Sequence, residues 1–179
     1  PRLHRREDSA DSPVQHLIIH TQIQVIMKKL LMTLMLALMA GSVFAQADKP
    51  YNEEIDPLAQ IDQAVKDAQS QGKYVICQVG GNWCSWCLLF NKFIHEDAEV
   101  AQVVNDNFVY IHVNWARRGG NPELAKRLNN FARFGFPCMV VLDEKGNVLH
   151  LQDSSYLEEG KGYNKEKVMR FFNNWTPKA

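Results

Sequence analysis

The chain has little of what most ligand-binding classes need. Its 20 Lys and Arg balance 20 Asp and Glu, so the formal charge is zero. No basic face is implied, and nucleic acid is set aside as a partner. No internal repeat and no low-complexity tract is present, which excludes solenoids and arrays. No His-Glu-x-x-His occurs, and none of the six histidines has metal-ligand spacing. His4, His16 and His20 lie far upstream, His95 ends a helix, and His112 and His150 fall in strands. Apolar runs are short. The longest near the N-terminus, Leu30 to Ala40, is too short to span a bilayer comfortably.

That run has another use. Met27-Lys28-Lys29 gives a basic start before it, and Val43-Phe44-Ala45 supplies small residues at −3 and −1 of a secretory cleavage site. Residues 27–45 read as a signal peptide cut after Ala45, with a cut after Ala47 as a second option. The competing reading is an uncleaved anchor. No Cys follows the run, which argues against a lipoprotein. Residues 1–26 are polar and mixed, and read as an upstream extension outside the natural precursor. Cleavage leaves 134 residues with 15 basic and 17 acidic side chains, enough for one small domain. No stable membrane anchor is expected after it.

Cysteine is also scarce: four residues, Cys77, Cys84, Cys87 and Cys138, all in the mature part. Export would place them where disulfides persist. The spacing of Cys84 and Cys87 is too tight to staple a large loop and suits a redox pair. Half of a zinc site is the alternative, but zinc usually needs two such pairs, and Cys77 and Cys138 are each alone in apolar runs. No metal and no cofactor is expected.

Residues 46–56 read as a polar lead-in. Asp56-Pro57 is an N-cap followed by proline at the first helical position. Leu58, Ile61, Val65 and Ala68 form one helical face, which Gly72 ends. Tyr74 to Val79 is a continuous apolar run, a buried strand. Gly80-Gly81-Asn82 turns the chain into Trp83-Cys84-Ser85-Trp86-Cys87 at the strand's C-terminal end, where open α/β sheets form sites. Cys84 then meets the free N–H groups and positive potential of a helix start, which favour a thiolate.

The rest reads as a helix from Ser85 to about Ile94 and a second from Asp97 to Asn105. A strand follows over Phe108 to Val113. Asn121-Pro122 caps a helix with Leu124, Leu128 and Phe131 on one face. After the break at Phe134-Gly135-Phe136-Pro137 come two strands, Cys138 to Leu142 and Val148 to Leu151, joined by a Lys145-Gly146 turn. Gln152 to Tyr163 reads as a long polar loop, and Asn164 caps a last helix. The order predicts an α/β fold with a mixed four-stranded sheet, five-stranded as the wider option, and helices on both faces.

Trp-Cys-x-x-Cys between a buried strand and a helix, with Gly-Phe-Pro before a hairpin about 50 residues on, resembles the thioredoxin fold. The finer likeness is to exported members, the DsbD-type periplasmic thiol-reductase domain and single-domain secreted forms. It covers roughly Leu58 to Trp175, within a domain drawn as 57–176.

The resemblance implies that Cys84 is the exposed nucleophile and Cys87 the resolving cysteine of a redox-active disulfide. It implies that Trp83 flanks the nucleophile and that Pro137 is cis. Phe136 would then offer its backbone to an incoming substrate strand. Trp86 would touch substrate or cover the disulfide. Substrates would be protein disulfides, and a membrane-embedded electron donor would serve as partner.

Two positions depart from that pattern. Where relatives carry a buried acid, this chain has Gln78 and Asn91, amides that take no proton at neutral pH. Cys87 would then lose its proton less efficiently, or to water or another group. Cys77 reads as a small buried hydrophobe. Cys138 reads the same way, with a third thiol in reach of the pair as the alternative. The functional expectation is a protein-disulfide reductase or isomerase. The alternative is a redox-quiet peptide-binding or folding-assistance module.

Overall fold

The computed structural model describes residue 24, residues 26–29 and residues 49–177. The expected signal peptide and upstream extension lie almost wholly outside the described residues. Residues 24 and 26–29 are helical, in a unit separate from the one that begins at Asp48. Among the described residues no helix is long and apolar enough to cross a membrane.

Helix α1 spans Pro57–Gln71. The Asp56 side chain accepts from Leu58 N–H at 3.0 Å, and Gly72 closes the helix at φ 65°. A left-handed position of this kind favours glycine. Strand β1, Tyr74–Gly80, follows and is buried from Val75 onward. Helices α2, Ser85–Glu96, and α3, Ala98–Asn107, then lead into β2, Phe108–Asn114. Asp97 caps α3 with its carboxylate and also meets Lys165 Nζ at 3.0 Å.

The helix expected to carry Leu124, Leu128 and Phe131 is shorter than the periodicity suggests. Helix α4 ends at Arg127, and Phe131 opens a separate 3-10 turn, Phe131–Phe134. Asn129 and Asn130 at φ 53° and 58° break the helix between them. All three apolar side chains still reach the same core.

Strands β3, Cys138–Leu142, and β4, Val148–Asp153, form the hairpin. Its turn has Gly146 at φ 80°, and the Asp143 carboxylate accepts from the backbone N–H of Lys145 and Asn147.

The sheet has four strands in the order β2-β1-β3-β4. The β1–β2 pair is parallel, and β3 runs antiparallel to both β1 and β4. The stretch Gln152 to Tyr163 differs from the long polar loop expected. It holds the end of β4, a 3-10 turn at Ser154–Leu157, and a two-stranded ribbon of β5, Glu158–Glu159, and β6, Gly162–Tyr163. Leu157 and Tyr163 anchor it, both packing into the core on one side of the sheet. Helix α5, Lys165–Asn174, closes the domain.

Alternation along the central strands separates two cores. Val75, Cys77, Val79, Cys138, Val140 and Leu142 face α1, α4 and Phe131. Ile76, Met139 and Val141 face α2, α3 and α5. Helices therefore cover both faces, and β1 runs between them to deliver its C-terminal end to the surface.

Candidate active site

A third, smaller cluster sits at that end: Tyr51, Cys84 and Cys87, with Trp86 and Phe136 packed against it. Cys84 and Cys87 form a disulfide with Cα atoms 5.2 Å apart. Cys84 is the N-cap of α2, and its sulfur accepts from Cys87 N–H at 3.2 Å. The helix thus aims a backbone donor at the first sulfur, and such a donor stabilises a thiolate there once the bond is reduced. Cys84 is 7% exposed and Cys87 is sealed. The pair therefore has an outer and an inner member.

Around it lies a half-open aromatic surface. Trp83 is exposed, and its indole N–H donates to Trp115 O at 2.9 Å. Its ring meets Phe136 edge-on at 5.4 Å, and the Arg117 guanidinium lies 5.9 Å from its centroid. The Phe136–Pro137 peptide bond is cis. Trp86 is half-buried, edge-on to Tyr163 at 5.6 Å, and Tyr163 Oη donates to Trp86 O at 3.2 Å. Trp86 packs against the Tyr51–Cys84–Cys87 cluster.

Beneath Cys87 lies Gln78, fully buried and fully bonded. Its Nε2 donates to Tyr51 Oη at 2.6 Å and to Cys87 O at 3.0 Å, and its Oε1 accepts from Tyr110 Oη at 2.5 Å. Burial pushes both phenols well up, so both stay protonated at neutral pH. His112, paired in register with Gln78, stands edge-on to Tyr51 at 5.2 Å and to Tyr110 at 5.5 Å. Burial, reinforced by His95, lowers it to about 4, so it is neutral there. Its Nε2 is buried with no partner among the described residues, as is the Oδ1 of Asn91.

Tyr51, Tyr110 and Tyr163 are site residues that sequence reasoning missed. Tyr110 carried a signal, since it lies two residues from His112 on the same strand face. Tyr51 carried none, because it stands alone in a polar segment. The segment read as a lead-in thus supplies part of the site.

Cys138 belongs to the α1-side core with Val79 and Val140, whereas Gln78, under the disulfide, lies on the opposite face of β1. The structure therefore groups Cys138 with the core and not with the pair. Cys77 and Cys138 are both free and buried, and burial pushes both thiols up to about 12. They are small core hydrophobes. No cluster of three or more metal-ligating side chains occurs among the described residues.

A Cys-x-x-Cys pair whose first cysteine caps the helix after a central strand, with Phe136 of a cis Phe-Pro bond packed against it, is the arrangement of the thioredoxin-like class. The family Thioredox_DsbH, described as a protein of unknown function, DUF255, matches residues 41–175, and the chain belongs to it. It is related to the thiol:disulfide interchange protein DsbD of Colwellia psychrerythraea (strain 34H / ATCC BAA-681), 28% identical over 100 residues. That match covers 56% of this chain but only 16% of the relative's length. Among solved structures, a disulphide isomerase from Xylella fastidiosa Temecula1 superposes with TM-score 0.62 at 21% identity, over 70% of this chain and 95% of that one. The oxidised DsbD C-terminal domain of Neisseria meningitidis has TM-score 0.43 at 21% identity, over 66% of this chain and 95% of that one. The chain is thus a thioredoxin-like member of this family, with a 100-residue stretch similar to part of a DsbD protein.

Proposed function

We propose that this chain is an exported thiol–disulfide oxidoreductase that reduces or isomerises protein disulfides through Cys84 and Cys87. The observation that carries the reading is the asymmetric pair, an outer sulfur on a helix N-terminus and an inner sulfur sealed beneath it. A thiolate at Cys84 attacks a substrate disulfide and forms a mixed disulfide, and one substrate sulfur leaves with an electron pair. Cys87 then attacks Cys84, the second substrate sulfur leaves, and the pair is oxidised. The substrate gains two electrons and two protons.

Trp83, Phe136 and Trp86 form the platform beside the sulfurs, and Pro137 places the Phe136 backbone for an incoming extended segment. An extended protein segment suits that platform better than a small thiol does. Each reductive turnover leaves the pair oxidised, so a donor must return two electrons, and outside the cytoplasm a membrane-embedded donor fills that role. The signal peptide over 27–45 and a domain spanning 57–176 belong to the same reading.

The test is trapping. The full chain with Cys87→Ser, expressed in its native host, should accumulate mixed disulfides to proteins through Cys84. Capture of none, with peptide binding intact when both cysteines are replaced, would favour a redox-quiet binding module instead.

A further inference from the structure

We propose that the Tyr51 hydroxyl donates a hydrogen bond to the Cys87 sulfur in the reduced pair, as the last link of a one-way chain from Tyr110 through Gln78. The inference rests on the reading of Cys87 as the resolving thiol, and gives that thiol a stabiliser in place of a buried acid.

The direction of the chain follows from donor counting. An amide oxygen only accepts, so Tyr110 must spend its hydroxyl hydrogen on Gln78 Oε1. An amide nitrogen only donates. One Gln78 hydrogen goes to Cys87 O and the other to Tyr51 Oη. The carbonyl of Cys87 cannot donate, so it fixes which end of the amide faces it. Tyr51 therefore receives a hydrogen bond and keeps its own hydrogen to give.

The recipient is set by the space above Gly80. A Cβ built on Gly80 would lie 2.9 Å from Tyr51 Oη and 2.5 Å from Cys87 Sγ. Hydroxyl and sulfur thus border the same small gap, which only glycine leaves open. Tyr51, Cys84 and Cys87 are the buried members of one cluster.

The other groups that face this point are neutral. Tyr110 and His112 come from β2, and Tyr163 from the ribbon. Burial holds the phenols protonated and His112 unprotonated at pH 7. Among the described residues the buried polar side chains are Gln78 and Ser154, with no carboxylate, lysine or arginine. A directed dipole then decides how readily the sulfur carries charge, because hydrogen bonding to an ionised form favours that form.

The resolving step balances with Tyr51 unchanged. Cys87 loses its proton and its sulfur attacks Cys84. The Cys84–Cys87 bond forms and the bond from Cys84 to substrate breaks. The electron pair leaves on the substrate sulfur, which takes up a proton. Tyr51 keeps its own proton throughout and lowers the charge cost at Cys87.

The test uses the full reduced chain carrying Cys84→Ser. Thiolate absorbance is titrated against pH, with the Cys84→Ser, Cys87→Ser chain as blank. Tyr51→Phe should move the Cys87 midpoint up by about one unit, or about tenfold less thiolate at a given pH. Should that variant not fold, 3-fluorotyrosine at position 51 keeps the shape and strengthens the donor, and the midpoint should fall. An unmoved midpoint in the folded variant overturns the proposal.

Reduction of a protein disulfide by the unaltered chain is measured separately. A chain that moves its midpoint but reduces nothing loses the functional reading and keeps this one. A chain that reduces its substrate with an unmoved midpoint does the reverse.

Discussion

Tyr51 and Asn82 clasp each other in both directions. Tyr51 N–H donates to Asn82 Oδ1 at 3.2 Å, and Asn82 Nδ2 donates to Tyr51 O at 2.8 Å. Asn82 sits in the turn that delivers the cysteine pair, 31 residues further along the chain. The clasp pins an otherwise exposed segment so that its one buried aromatic reaches the disulfide. Asn82→Ala should cost about 1–2 kcal/mol in denaturant unfolding, the range for two partly exposed hydrogen bonds. It should also raise amide exchange at residues 51–54 more than in β1. Uniform exchange across the domain would show that the clasp is not what holds the segment.

His112 makes stability depend on pH with a definite sign. Its folded value is about 4 against an ordinary 6.5, so the unfolded chain binds the extra proton between these values. The stabilisation is therefore full above pH 6.5 and is lost as pH falls towards 4. At most about 3 kcal/mol is at stake. His112→Phe keeps an aromatic ring between Tyr51 and Tyr110. Unfolding of this variant at pH 7 and pH 5 should differ less than that of the unaltered chain. An equal pH dependence in both would place the titration elsewhere.

The sheet and its helices were legible because the signals were local. Asp56-Pro57, Asn121-Pro122 and Asn164 each cap a helix as their side chains predict. The apolar run of β1 is buried as a central strand. Periodicity overran at α4 because Phe131 reaches the core beyond two left-handed asparagines, which helical spacing cannot reveal. The segment Gln152 to Tyr163 looked like loop because its buried members, Ser154 and Leu157, are separated by polar residues. In the site, the cysteine pair and Gln78 were visible by position, whereas Tyr51 reaches them only through tertiary contact.

Cys77 and Cys138 should be silent in native thiol chemistry. Both are fully buried, and burial pushes both up to about 12. Only a small fraction of either is thiolate at pH 8. Iodoacetamide added to the reduced, folded chain at that pH should label Cys84, with Cys77 and Cys138 labelled only after denaturant. Peptide mass mapping reads the sites. Early labelling of Cys138 would put a third thiol back beside the pair.

Gln78→Glu restores a carboxyl group at the position beneath Cys87, and here its effect should be harmful. A protonated glutamic acid has one hydrogen, so it cannot donate to both Tyr51 Oη and Cys87 O as Gln78 does. Ionised, it accepts from both tyrosines, draws the Tyr51 hydrogen away from Cys87, and sets a negative charge beneath the sulfur. Burial raises the folded value of such a carboxyl above the unfolded value of about 4.3. The folded state then holds the proton longer, so stability relative to the unaltered chain is lost as pH rises through about 4.3 towards the folded value. The slope within that window is at most about 1.4 kcal/mol per pH unit. Urea unfolding of both chains from pH 4 to pH 8 measures it. Disulfide-reduction rates over the same range should move their basic midpoint upward in the variant. A pH-independent stability difference, with an unmoved rate profile, would mean that position 78 senses neither burial nor the resolving sulfur.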